Sequence, residues 1–105
     1  MVKIQKGSGN VYKDIEIPNA DEMLVKAQLV TKISEIIKER RLTQKEAAEA
    51  LGITQPKLSM MLRGQFRGIS EVKMLECLTK LGHNIKIVVG HEQQTIGKLE
   101  VVFVS

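Results

Sequence analysis

Residues Leu42 to Gly64 read LTQKEAAEALGITQPKLSMMLRG, and the local chemistry of this stretch spells two short helices joined by a turn. Thr43 and Glu46 have the spacing of a capping box: the threonine hydroxyl accepts from a first-turn N–H, and the glutamate reaches back to the Thr43 N–H. A helix therefore starts at Gln44. Ala47, Ala48 and Leu51 give it one apolar stripe, and Gly52 stands where a left-handed residue ends it and turns the chain. A second start follows at once. Thr54 is an N-cap, Ile53 is placed to staple onto Leu58, and Pro56 falls in the first turn, where backbone N–H groups lack intrahelical partners anyway. Gly64 is the matching stop. Helices this short with so tight a link cross steeply, and a close crossing needs a small side chain at the contact, which Ala48 supplies.

On the N-terminal side, residues 1–10 hold too few apolar groups to fold alone and read as an arm. The GSG at 7–9 is too short for a phosphate loop. Val11, Tyr12, Ile15 and Ile17 suggest an extended segment ending at Pro18. Asn19 and Glu22 then open a long amphipathic helix, with Met23, Leu29, Val30, Ile33, Ile36 and Ile37 at helical spacing to about Arg40. Lys38, Arg40 and Arg41 sit at the negative end of its dipole. On the C-terminal side, a basic loop (GQFRGI) leads to Ser70, which caps a further helix carrying Leu75, Leu78 and Leu81 on its buried face until Gly82. The period then changes. Ile85, Ile87 and Val89 alternate with their neighbours, as do Leu99, Val101 and Phe103, which predicts two strands joined by GHEQQTIG, residues 90–97, as a loose β-hairpin.

The expected fold is thus mainly α, a helix-turn-helix bundle with a C-terminal β-hairpin. The expected division is an extended arm over 1–18, a helical domain over 19–82 and the hairpin over 83–105. Val88 makes the first strand apolar on both faces, and a lone hairpin is marginal without cover, so pairing with a second copy, a homodimer, is the expected remedy.

At 105 residues the chain fits one domain with a modest core. No apolar run is long enough to span a bilayer and the first ten residues are polar, so the expected place is the cytoplasm, on the nucleoid, with no membrane partner. The single Cys77 excludes an intrachain disulfide and a cysteine metal cage, and it reads as a small core residue. His83 and His91 are isolated and no carboxylate cluster has ligand spacing. No catalytic residue, metal or cofactor is therefore expected. The net charge of +4 is unevenly placed. Arg40, Arg41, Lys45, Lys57, Arg63 and Arg67 face only Glu46 and Glu49, while the remainder of the chain holds ten charges of each sign. The net positive charge thus coincides with the two short helices, where a nucleic-acid backbone would need it.

The central stretch resembles the helix-turn-helix of phage-repressor-like (XRE) regulators, a lambda-repressor-like fold. That pattern is polar at the first helix start, small at its fifth residue, glycine at the ninth and aliphatic at the fifteenth. Counted from Gln44, those places hold Ala48, Gly52 and Leu58, with Leu51, Ile53 and Met61 as further core positions. The runs GSGNVYKDIEIPNADEML and LGHNIKIVV narrow the resemblance, over roughly residues 7–89, to the HigA-like antitoxin group. It implies a transcriptional repressor that binds its own operator and neutralises a partner toxin protein encoded beside it. The stretch beyond Gly90 departs from the shorter tails of that group. Read on its own, the chain also fits a protein-interaction module that grips a toxin, or a stand-alone regulator without one.

In such a motif the second helix presents its N-terminal end to the major groove of double-stranded DNA. Gln55 is then the main base-reading candidate, because an amide can bond adenine N6 and N7 together. Lys57 reaches a phosphate or a guanine, and Ser59 and Met60 lie further along the exposed face. Gln44 and Thr54, at the helix starts, suit phosphate oxygens, while Arg63, Gln65 and Arg67 flank the far end. A two-fold dimer would set two such helices about 34 Å apart and favour a palindromic operator.

Overall fold

The computed structural model describes residues 20–104. The expected arm over 1–18, the extended segment through Ile17 and the Asn19 cap lie outside the described residues. Four helices follow in order: α1 (Ala20–Glu39), α2 (Gln44–Leu51), α3 (Gln55–Leu62) and α4 (Glu71–Lys80). Lys26–Lys86 forms one compact unit, and the described residues on either side, 20–25 and 87–104, belong to a second.

Local chemistry places the helix starts where the sequence puts them. Thr43 Oγ1 accepts from the Glu46 N–H at 3.0 Å while the Thr43 N–H donates to Glu46 Oε1 at 2.8 Å, completing the capping box of α2. Thr54 Oγ1 accepts from the Lys57 N–H at 3.3 Å and Ser70 Oγ from the Lys73 N–H at 3.1 Å, capping α3 and α4. Each cap satisfies a first-turn donor that the helix itself leaves without a partner.

All four helices end on one hydrogen-bond pattern, in which two successive N–H groups turn back onto carbonyls of the last turn. After α2, Gly52 and Ile53 donate to Glu49 and Ala48; after α3, Gly64 and Gln65 donate to Met61 and Met60; after α4, Gly82 and His83 donate to Thr79 and Leu78. The pivot residue needs a left-handed backbone, and the three glycines supply it with φ of 72°, 88° and 93°. After α1, Arg41 and Leu42 donate to Lys38 and Ile37, and the pivot is Arg41, at φ 55°.

The core of the 26–86 unit gathers one stripe from each helix. Leu29, Ile33, Leu51, Leu58, Met61, Met74 and Cys77 are all under 2% exposed. Burial of each such aliphatic side chain stabilises the fold by roughly 1.5–3 kcal/mol. Ala47 and Ala48 are buried with them, consistent with small residues where α2 packs on α3 and α4. Cys77 is a free, buried thiol, as its apolar neighbours imply, and burial pushes its pKa up against the lowering effect of Lys73 and Lys80.

Three cations tie segments of this unit together. Lys26, 3% exposed, donates from Nζ to the Arg67 carbonyl at 2.9 Å and so holds the α3–α4 loop. Arg40 donates from Nη2 to the Leu81 carbonyl at 2.6 Å, and Lys80 from Nζ to the Leu51 carbonyl at 3.2 Å. A cation from α4 thereby reaches the C-terminal carbonyls of α2, and one from the end of α1 reaches those of α4, where the helix dipole is negative.

The expected C-terminal β-hairpin is not present: among the described residues no strand occurs, and 83–104 contains neither helix nor ladder. Ile87, Val88 and Val89 are 78–90% exposed, so almost no apolar burial offsets the entropy of ordering two strands. Alternation marks strand tendency, and tendency without cover does not make a sheet.

Candidate nucleic-acid interface

The caps fix where α3 begins, and its buried residues fix which side faces out. At about 100° per residue, Leu58 and Met61 define the inner side of the helix. Ser59, Met60 and, just past the helix, Arg63 fall on the opposite side, with Gln55 and Lys57 on its two flanks. Gln55, Lys57 and Arg63 are exposed, Met60 is 44% exposed and Ser59 is half-buried. Arg63 Nη1 donates to Ser59 Oγ at 2.9 Å, one turn back along this side. That bond holds the guanidinium over the helix while leaving its other donors available to an anion.

Gln44 is the first residue of α2 and Thr54 the N-cap of α3, and both are exposed. Gln65 and Arg67 occupy the α3–α4 loop with exposed side chains. The backbone there is anchored twice, through the Gln65 N–H to Met60 O at 2.9 Å and through Lys26 to the Arg67 carbonyl. Gln55, Lys57, Ser59, Met60 and Arg63 thus follow one another along α3 within a single folded unit, and Gln44, Thr54, Gln65 and Arg67 stand at helix ends and in the anchored loop.

The electrostatics suit a polyanion. Between Glu49 and Glu71 there is no carboxylate, while Lys57, Arg63 and Arg67 lie in that interval. The first turn of α3 contains no acidic residue, so the positive end of its dipole keeps its field. Arg40, exposed as well, spends one donor within the fold, from Nη2 to the Leu81 carbonyl.

Sequence reasoning missed the supporting residues more than the face itself. Lys26 falls on the apolar stripe with Leu29, Val30 and Ile33, and that placement was a legible signal of burial. Phe66 and Ile69, both 8% exposed, show that the basic loop is packed down rather than loose. Among the described residues no group of His, Cys, Asp and Glu could hold a metal, and no helix is long and apolar enough to cross a membrane.

With this geometry in hand, three comparisons with known proteins can be set beside it. A solved structure described as an XRE-family transcriptional regulator superposes with a TM-score of 0.71 at 28% identity, covering 84% of this chain and 99% of that one. No curated protein matches. The helix-turn-helix domain family matches residues 11–90, the stretch that contains all four helices, and the chain belongs to that family.

Proposed function

We propose that the chain is a sequence-specific DNA-binding transcriptional regulator that inserts α3 into the major groove. The observation that carries this reading is the outward side of α3: an amide at Gln55 where the helix starts, Lys57 and Arg63 beside it, and no carboxylate across the whole interval. Gln55 reads adenine. Lys57 contacts a phosphate or guanine, and Met60 meets a thymine methyl. Gln44 and Thr54 hold phosphates at the two helix starts, and Ser59, Arg63, Gln65 and Arg67 fix the register at the far end. The test is selection of bound duplexes from a random pool, followed by footprinting. A short enriched motif protected in its major groove supports the reading, and recovery of the unselected pool contradicts it.

The tail supports a dimer. Val88, Val89, Val102 and Val104 are 78–93% exposed, an apolar content that a solvated linker does not need and a second copy would cover. On this reading 19–82 is the DNA-binding domain, 83–105 is the dimerisation segment, and the operator is palindromic. Light scattering at micromolar concentration should give twice the chain mass; a stable monomer contradicts it.

The finer role, a repressor of its own operon and antitoxin of the HigA-like group, is supported by the sequence runs quoted above. Part of that resemblance falls on residues outside those described. It requires a toxin partner that co-purifies with the chain from its host and whose growth arrest the chain relieves. Failure to co-purify any such partner would leave a stand-alone regulator.

A further inference from the structure

The four helix ends share one hydrogen-bond pattern, and their pivots differ in one respect. Three are glycine, which adopts a left-handed backbone at no steric cost, and the fourth is Arg41 at φ 55°. An L side chain there is strained, and arginine lacks the short polar group by which asparagine offsets that strain through local bonding. A glycine would suit the backbone better, which makes the arginine side chain the feature to account for.

Its use is not found within the folded chain. The Arg41 side chain is exposed and, among the described residues, makes no hydrogen bond or ion pair, whereas the adjacent Arg40 donates to the Leu81 carbonyl. The negative end of the α1 dipole is already faced by Lys38 in its last turn. Arg41 lies two residues before the Thr43 cap and three before Gln44, at the positive end of α2. We propose that Arg41 is a phosphate anchor, a cation kept in a strained backbone position so that its guanidinium grips the duplex backbone beside the start of α2. The strain is stored where a function draws on it. This inference rests on the DNA-binding reading and adds a contact that supplies affinity without sequence preference.

The test uses the full chain with Arg41→Gly, Arg41→Asn and Arg41→Lys, titrated against a duplex selected by the wild type and against a scrambled duplex over a range of salt. Arg41→Gly should raise Tm and yet weaken binding to both duplexes by the same factor, about eightfold at about 0.1 M salt, with the salt slope smaller by about 0.9. Arg41→Asn, which tolerates the left-handed backbone, should lose the same binding. Arg41→Lys should keep most of the slope. An unchanged slope in Arg41→Gly, a loss confined to the selected duplex, or a lowered Tm would each overturn the assignment of Arg41 while leaving the DNA-binding reading intact. A wild type that binds no duplex in a salt-dependent way would overturn both.

Discussion

The helix-turn-helix over 43–64 and the tail over 83–104 are both rich in aliphatic residues, and they take opposite courses. In the first, Ala47, Ala48, Leu51, Leu58 and Met61 are all buried and each helix start is capped by a threonine hydroxyl. In the second, Ile87, Val88, Val89, Val102 and Val104 are exposed and no ladder forms among the described residues. The difference lies in where the partners sit. A helix satisfies its backbone within four residues and a cap within three, whereas a strand needs a neighbour from a distant part of the chain or from another molecule.

That contrast can be broken most severely by paired truncations. Leu58→Ala should destabilise the chain by about 2–5 kcal/mol in denaturant unfolding, because the side chain is fully buried and leaves a cavity. Val88→Ala, 78% exposed, should stay within about 0.5 kcal/mol when measured on dilute protein. A larger loss for Val88 that grows with protein concentration would show that a second copy covers the tail, and would sharpen the comparison.

Gly52→Ala comes next. Its φ of 72° is strained for an L residue, and a Cβ there would lie 2.9 Å from Lys80 Nζ, disturbing the bond to the Leu51 carbonyl. Thermal unfolding should report a loss of about 1–2 kcal/mol. Thr43→Ala removes one half of the capping box and should cost about 1 kcal/mol, read by the same method.

The smallest effect concerns pH. Burial raises the Cys77 thiol above its ordinary value, so the fold favours the neutral form. The stability this contributes is fully present below the unfolded thiol pKa and is lost as pH rises through the folded one. Native-state alkylation of Cys77 should accordingly be slower than in the unfolded chain at alkaline pH, and equal rates would contradict its burial.

The fold was legible wherever its determinants are local. Thr43, Thr54 and Ser70 mark helix starts, Gly52, Gly64 and Gly82 mark ends, and the apolar spacing between them assigns the buried side. The outward side of α3 follows from the same spacing, so Gln55 and Lys57 were readable as exposed. What stayed hidden acts across the chain. Arg40 reaches Leu81, Lys80 reaches Leu51 and Lys26 reaches Arg67, each over 29–41 residues, and no local pattern announces such a bond. Arg41 hid for a different reason: its backbone does what glycine would do, and the residue type alone argues against the turn. The tail misled because alternation records a face without recording what lies against it.

The central claim, that the start of α3 reads base edges, is tested most directly by binding titrations of wild type and Gln55→Ala on a selected duplex and on a scrambled one at matched salt. The account predicts a loss of about 1–3 kcal/mol on the selected duplex, little change on the scrambled one and an unaltered salt slope. Equal losses on the two duplexes, or none on either, would contradict it.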